Sequence, residues 1–214
     1  MTSAFNPNCR QCPRLADFLD DVRRQHPDYH CRPVPPFGDR AARLLIVGLA
    51  PGMHGANRSG RPFTGDHAGL LLYETLHEFG FSSAPESVAT DDGLRLPDAR
   101  ITNAVKCLPP DNKPVGAEIN TCNPFLAAEL DTLPANAVVI ALGGIAHRAV
   151  IKAVGGRQAD YRFAHAAEYP LGDRFTLLDS YLFSRYNTNT GRLTPEMFRR
   201  VFARSSEMLD MTHE

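Results

Sequence analysis

The sequence lacks any apolar stretch near the 18 residues that a membrane-spanning helix requires. Its first ten residues, MTSAFNPNCR, contain no apolar segment of the kind that directs secretion. A large charge of either sign is also missing, because the formal net charge is -1. Affinity for a polyanion would therefore need a local basic patch. These absences predict a cytoplasmic protein that does not interact with membranes.

The cysteines are five in number, so a framework in which every cysteine forms a disulfide within the chain is impossible. Disulfides are also rare in a reducing compartment. Cys9 and Cys12 form a C-x2-C pair, and Cys107 and Cys122 follow with fourteen residues between them. Four thiolates can bind a metal ion or a cluster; the alternative is that they are small buried apolar residues. Cys31 is left over and is predicted to be a free or core thiol.

Apolar runs alternate with helical patterns along the chain. Four runs predict strands covered on both faces: ARLLIVGLA, ARITNAVKC, NAVVIALG and RFTLLDSYLF. Amphipathic patterns predict helices over 14–24, 66–79 and 116–130, from 145 onward, and over 195–208. This alternation predicts an α/β fold with three layers, α/β/α, around a central, mostly parallel four-stranded sheet. With 214 residues, 43% of them hydrophobic, we expect one domain that spans 1–214.

Unusual loops leave the carboxyl ends of the predicted strands, where parallel α/β sheets bind their ligands. The first loop, GLAPGMHGANRSGRPFTGD, holds five glycines from Gly48 to Gly65, so its backbone can approach a ligand closely. It lacks the Gly-Lys-Ser/Thr ending of a phosphate loop and the glycine fingerprint of a dinucleotide site. We interpret it as a functional loop; the alternative is a long surface loop with solvated charges.

Three segments carry a family resemblance. Together with the four-cysteine spacing, GLAPGMHGANRSGRPFTGD, ITNAVKC and NTNTGRLT resemble the iron-sulfur branch of the uracil-DNA glycosylase superfamily, specifically its family 5, also called type B. The resemblance covers nearly the whole chain. It implies a monofunctional DNA repair enzyme that flips uracil, with other deaminated bases as further candidates, and hydrolyses the N-glycosidic bond to leave an abasic site. The implied partners are double-stranded and single-stranded DNA, and a monomer is expected.

The resemblance implies a base pocket. Phe63 matches the stacking phenylalanine of the family, although an isolated phenylalanine is more often a core residue. Asn103, near the end of the second predicted strand, matches the asparagine whose amide reads the pyrimidine edge; turn formation is its alternative role. The backbone of the first loop would line the same pocket, at Gly48, Leu49, Ala50 and Gly52. Leu182 is a further substrate-binding candidate; with Phe183 it would pack at the pocket wall or wedge into the base stack, and the alternative is that both are core residues that end the fourth strand.

Two positions differ from better-known relatives. Where family 1 has a water-positioning aspartate this sequence has Ala50, as is typical of family 5, and Asp66 becomes the catalytic candidate beside Asn103. The alternative is that Asp66 only caps a helix. The second motif normally begins with a pocket histidine that donates a hydrogen bond to the departing base, and the aligned residue here is Leu182. Because leucine has no donor, a catalytically weak or inactive DNA-binding member is the alternative function. His54, in the first motif, is a candidate to face the pocket.

The resemblance also implies a face that binds DNA. Phe183 is interpreted as packing at the strand end, whereas Arg185 and Tyr186 are the candidates to stack on bases or wedge between them. Lys106 and Lys113 add to a local basic face that the net charge conceals; solvated surface charge is the alternative. The residues predicted to contact DNA are Arg58, Arg61, Ser184, Arg185, Tyr186, Asn187 and Arg192.

The four cysteines gain a specific interpretation from the same resemblance. Cys9, Cys12, Cys107 and Cys122 occupy the positions expected to hold a [4Fe-4S] cluster, with zinc as the alternative that spacing alone allows. A cluster there would tether the N-terminal segment to the loop after the second strand. We interpret it as a structural centre rather than a redox centre.

Overall fold

The computed structural model describes residues 4–183, 187 and 191–210. Its strands are β1 (Phe37–Gly38), β2 (Leu44–Gly48), β3 (Ala99–Asn103), β4 (Ala137–Leu142), β5 (Glu168–Leu171) and β6 (Phe175–Ser180). They form one sheet in the order β1-β3-β2-β4-β6-β5. The neighbours β3, β2, β4 and β6 are parallel, while β1 and β5 add antiparallel edges.

The parallel centre of the sheet consists of the four strands that the apolar runs predict, so the expected α/β class is confirmed. The predicted number of four strands is too low, because the sheet has six in the described residues. β1 has only two residues, too few to form an apolar run. β5 alternates exposed and half-buried positions and contains Pro170, which edge strands tolerate.

Helices cover both faces of the sheet. They are α1 (Pro13–Gln25), α2 (Ala56–Ser59), α3 (His67–Glu78), α4 (Gly116–Leu130), α5 (Gly144–Ala153) and α6 (Pro195–Asp210). One apolar core joins α3 and α6 to the sheet, and a second joins α4 and α5 to the opposite face. Leu44 and Ile46 of β2 belong to the first core and Leu45 and Val47 to the second, because strand side chains alternate between faces. The three-layer prediction is confirmed.

The sequence pattern misses two 3-10 turns of three residues each and the short helix α2, which has four residues inside the glycine-rich first loop. Within the described ranges, no helix combines the length and the apolar character needed to cross a membrane.

The pairing of β2 with β3 places the two predicted pocket segments side by side. Gly48 is the register partner of Asn103 at the carboxyl ends of these strands. Beyond the strands, the Ala104 N–H donates to the Gly48 carbonyl at 2.9 Å and the Val105 N–H to the Leu49 carbonyl at 3.0 Å. The first loop and the segment after Asn103 therefore leave the sheet together.

Helices α1 and α4 hold the N-terminal segment against the domain. Arg14 near the start of α1 donates from Nε and Nη2 to the two carboxylate oxygens of Glu118 in α4, at 2.7 and 2.8 Å. Cys12 immediately precedes α1, and Cys122 lies one turn after Glu118. This bidentate ion pair therefore brings two of the four spaced cysteines toward each other.

Candidate functional site

Three residues predicted for the base pocket meet where β2 and β3 end. A Cβ on Gly48 would lie 2.4 Å from Asn103 Oδ1 and 2.7 Å from Phe63 Cζ, distances that no real Cβ allows. Glycine at 48 thus lets an amide and an aromatic ring approach the same piece of backbone. The structure brings together Gly48, Phe63 and Asn103, three residues that lie up to 55 positions apart in the sequence.

The amide of Asn103 has a buried oxygen without a partner. Asn103 is 4% exposed, and its Oδ1 has no hydrogen-bond partner among the described residues. A buried polar atom left unpaired carries a desolvation cost, so it calls for a partner such as a bound ligand or a water molecule. The atom lies at the carboxyl edge of a parallel sheet, where such folds bind small molecules.

The backbone around Phe63 is held in an unusual conformation. Phe63 has a φ of 53°, in the left-handed region that bulky residues rarely adopt. The first turn of α3 packs directly on it, because a Cβ on Gly69 would lie 1.8 Å from the Phe63 carbonyl oxygen. Strain of this kind persists only where neighbouring structure enforces it, and it is frequent at binding sites.

Asp66 is both a helix cap and a wall of the site. Its Oδ1 accepts a 2.8 Å hydrogen bond from the Gly69 N–H and so caps α3, as its alternative reading predicted. Its Oδ2 faces the first loop, since a Cβ on Gly55 would lie 2.4 Å from that oxygen. Burial raises the pKa of the Asp66 carboxyl, and the N–H groups of Gly69 and Ala68 counter part of that shift.

An open groove of about 770 Å³ leads along the first loop and past Phe63. Gly52, His54 and Asp66 line it, together with His67 at the start of α3. The His67 ring stacks against Phe183, with 5.6 Å between the ring centroids. His54 was predicted to be a candidate for this face, whereas His67 was not; its first-turn position carries no sequence signal that sets it apart.

The segment that carries Leu182 packs on the end of β4. A Cβ on Gly143, just before α5, would lie 3.5 Å from Leu182 Cβ. The Asn187 amide donates to the Leu182 carbonyl at 2.7 Å. Leu182 and Leu49 line a second, smaller pocket. Phe183 is 8% exposed and belongs to the core beside α3 and α6, which confirms its interpretation as strand-end packing.

Half-buried aromatic rings and exposed cations lie near His54 of the groove and in the second pocket. The Tyr29 hydroxyl lies 2.9 Å from His54 Nδ1, and the His26 ring stacks on Tyr29 at a centroid distance of 4.4 Å. The exposed Arg58 guanidinium lies 5.8 Å from the Tyr29 ring centre. Exposed Arg192 lies over the Tyr181 ring at 4.6 Å. Ser184, Arg185 and Tyr186, predicted to contact DNA, lie outside the described residues.

Two cations predicted for the DNA-binding face are buried instead, and this is a correction. Arg61 is 4% exposed; its guanidinium bonds both oxygens of Asp92 at 2.8 and 2.9 Å and the Thr90 carbonyl at 2.8 Å. Burial alone would raise the pKa of Asp92, but Arg61 and three backbone N–H groups lower it to about 2. Lys106 is 1% exposed. Neither side chain can reach a phosphate, because each is enclosed by oxygen partners within the protein.

The four spaced cysteines line a single pocket. Cys9, Cys12, Cys107 and Cys122 surround it, with Leu15 and Phe125 among its apolar walls. Burial raises the pKa of the Cys107 thiol to about 12 and that of Cys122 to about 11, and the neighbouring cysteines add to both shifts. Four thiolates so placed would therefore need a cationic centre.

Cys31 does not line this pocket, although it belongs to an apolar cluster against which Cys107 packs. It is fully buried beside Asn57, whose amide donates to its sulfur at 3.5 Å, as expected for the leftover thiol. Across the ranges that the structure describes, no three histidine, cysteine, aspartate or glutamate side chains form a group that could hold a single metal ion.

A family profile and several known proteins are similar in sequence to this chain. The sequence profile of the uracil DNA glycosylase superfamily matches residues 35–204. A Type-5 uracil-DNA glycosylase of Thermus thermophilus is 48% identical over 206 residues, covering 94% of this chain and 93% of that protein. A Type-5 uracil-DNA glycosylase of Pyrobaculum aerophilum is 42% identical over 203 residues, covering 93% and 88%. A Type-4 uracil-DNA glycosylase of the same organism is 34% identical over 151 residues, covering 70% and 63%.

Proposed function

Because the chain belongs to the uracil DNA glycosylase superfamily, we propose that the pocket between Gly48, Phe63 and Asn103 is where it removes uracil from DNA. The protein is a monofunctional uracil-DNA glycosylase, a hydrolase of DNA repair that replaces the base with water. The unpartnered Oδ1 of Asn103, buried beside an aromatic ring, is the observation that carries this placement.

The Asn103 amide suits the edge of uracil. Uracil presents a carbonyl at O4 and an N–H at N3, and an amide offers one NH2 donor and one acceptor oxygen. Oδ1, which has no partner in the described residues, would accept from N3–H, while Nδ2 donates to O4. Cytosine reverses both groups, so the same amide would leave two buried polar atoms unpaired. The Phe63 ring supplies a stacking surface beside it.

Asp66 is proposed as the group that assists bond cleavage. Its Oδ1 is occupied by the cap of α3, which leaves Oδ2 facing the groove and the backbone of the first loop. An ionised Oδ2 would orient the attacking water or stabilise positive charge on the departing sugar. The backbone of Gly48, Leu49, Ala50 and Gly52 forms the adjoining wall.

Leu182 supplies no hydrogen-bond donor, so the departing base must be stabilised by other groups. The relatives favour an active enzyme over the alternative of an inactive DNA-binding member. We therefore assign the chemistry to Asn103, Asp66 and the loop backbone acting together, since dissociative cleavage can draw on several small electrostatic contributions.

We propose that the cysteine pocket holds a [4Fe-4S] cluster. Four cysteines around one pocket with apolar walls provide the ligand set of such a cluster, and each iron would take one thiolate. When bound, it would tether the segment before α1 to the loop after β3. Iron and inorganic sulfide in equal, stoichiometric amounts with visible absorbance are expected; a colourless protein with stoichiometric zinc would favour the alternative.

The face that receives DNA is proposed to run along the groove. Exposed Arg58 and Arg192 each lie over an aromatic ring, a pairing suited to phosphates and to unstacked bases. The same proposal assigns DNA contacts to Asn187 and to Ser184, Arg185 and Tyr186. Activity on single-stranded as well as double-stranded DNA, action on other deaminated bases, and a monomeric state remain predictions.

A single-turnover excision assay tests the placement of the site. With uracil-containing duplex, we expect Asn103→Ala to cleave about 100-fold or more slowly, because the transition state loses a preorganised polar contact. Asn120→Ala, on the exposed side of α4, is the matched control and is expected to cleave at the wild-type rate. Wild-type speed in Asn103→Ala would contradict the proposed pocket.

A further inference from the structure

Lys106 is among the largest fully buried side chains of the described protein, with 1% of its surface exposed. Its ammonium is surrounded by oxygens, at 2.5 Å from Thr102 Oγ1, 2.8 Å from the Asn103 carbonyl and 2.7 Å from Glu129 Oε1. In the described residues, the Glu129 carboxylate accepts no hydrogen bond from any group other than this ammonium. A buried ion pair therefore contacts the backbone of Asn103, the residue proposed to read the base.

The stability of the folded protein does not by itself explain why this ion pair is buried. Removing two charges from water costs so much that apolar residues of similar volume often stabilise a protein as well or better. Here the lysine also bonds the backbone carbonyl of Asn103, the residue whose side chain forms the base pocket. Because Asn103 Oδ1 has no partner in the described residues, that oxygen does not fix its own direction. Its packing against Gly48 and Phe63, together with the backbone beneath the side chain, must do so.

Lys106 is itself anchored at its backbone. Its N–H donates to Cys122 Sγ at 3.3 Å, and its carbonyl accepts from the Val34 N–H at 2.7 Å. The side chain thus starts from a fixed point on the wall of the cysteine pocket and ends on the carbonyl of Asn103. One residue spans the distance between the two sites.

We infer that Lys106, paired with Glu129, is a positioning residue that fixes the Asn103 amide for uracil. It acts through Asn103 and does not touch the substrate. This inference rests on the role proposed for Asn103 in the base pocket.

Four proteins test the inference: wild type, Asn103→Ala, Lys106→Met and the double variant. In single-turnover excision of uracil we expect Lys106→Met to be slower by about 10- to 100-fold, the usual effect of a supporting residue that misplaces a reacting group. The double variant should be no slower than Asn103→Ala, because a residue that acts through Asn103 has nothing left to position. Lys106→Met should also weaken inhibition by free uracil, which a role in stability alone would leave unchanged.

Lys152→Met is the matched control, because that lysine lies on the exposed side of α5 and bonds Asn120 at 2.6 Å. It should retain wild-type excision and uracil inhibition. If Lys106→Met does not fold, because Glu129 is left as an unpaired buried charge, Lys106→Met/Glu129→Leu removes both charges and enters the same cycle.

The outcomes separate the two claims. Rate losses that multiply in the double variant, or unchanged inhibition by free uracil, would overturn the positioning role and leave Asn103 in its proposed place. A wild-type rate in Asn103→Ala would overturn the proposed pocket and the role of Lys106 with it.

Discussion

The segment from Asn103 to Cys107 joins the proposed base pocket to the cysteine pocket within five residues, and the two sites differ in character. The base pocket presents a buried amide oxygen with no partner, next to a glycine and an aromatic ring. The cysteine pocket presents four thiols among apolar side chains. An unpaired polar atom can be tolerated where a ligand binds and dissociates. Buried thiols with raised pKa values ionise only beside a cationic group, so they suit a permanently bound cationic centre. The difference fits the roles proposed for the two sites, which are turnover of substrate beside Asn103 and a structural cluster between the cysteines.

Substituting a cysteine of the cysteine pocket should have the largest effect on the protein. Cys107→Ser removes a proposed cluster ligand, so we expect loss of visible absorbance and a fall of about 3 kcal/mol or more in the free energy of unfolding. Cys31→Ser is the matched control, because that buried thiol lies outside the pocket. Equal loss of absorbance in both variants would contradict the assignment of the four ligands.

Replacing the Asp66 carboxylate should slow catalysis without unfolding the protein. We expect Asp66→Asn to reduce single-turnover excision about 100-fold, while asparagine still caps α3. Burial raises the pKa of Asp66, so wild-type activity should increase as the pH rises through that pKa, and the variant should lack this limb. A raised folded pKa means that ionisation costs stability as the pH rises, so the variant should be no less stable at neutral pH.

The exposed Asp17→Asn serves as the control for that profile. An unchanged rising limb in Asp66→Asn would assign the titration to another group.

Replacing Leu182 with the histidine of the motif tests which groups of the proposed base pocket stabilise the departing base. Leu182→His places a hydrogen-bond donor where related sequences are expected to have one, and we predict faster excision, by up to about 100-fold. Leu182→Met, which adds no donor, is the control for packing against Gly143. Equal rates for leucine and histidine would show that Asn103, Asp66 and the backbone suffice.

The smallest effect is expected outside both pockets. Arg58→Ala should weaken DNA binding a few-fold and reduce the salt dependence of binding by about one phosphate contact. Arg61→Ala, three residues along the same loop, should lower the free energy of unfolding instead, because its guanidinium is buried against Asp92. A matching change in salt dependence for Arg61→Ala would contradict the burial-based distinction.

Strand runs and helix periodicity predicted the parallel centre of the sheet and all helices longer than four residues in the described chain. These patterns are local, because a single apolar run predicts a buried strand and a single apolar stripe predicts an amphipathic helix. The edge strands β1 and β5 were not predictable, because neither has an apolar run. For the site, motifs placed Gly48, Phe63 and Asn103, but they did not indicate that His67 lines the groove.

The sequence by itself determined the fold class, the family and the residue types available for chemistry, because these depend on patterns along the chain. The tertiary structure decided which residues of the same type have different roles. Arg58 and Arg61 share one loop, yet one is exposed and the other is enclosed by Asp92 and Thr90. Lys106 reads as a surface cation in sequence and lies buried behind Asn103 in the fold. A charged side chain takes its role from partners distant in sequence, and only folding brings those partners within reach.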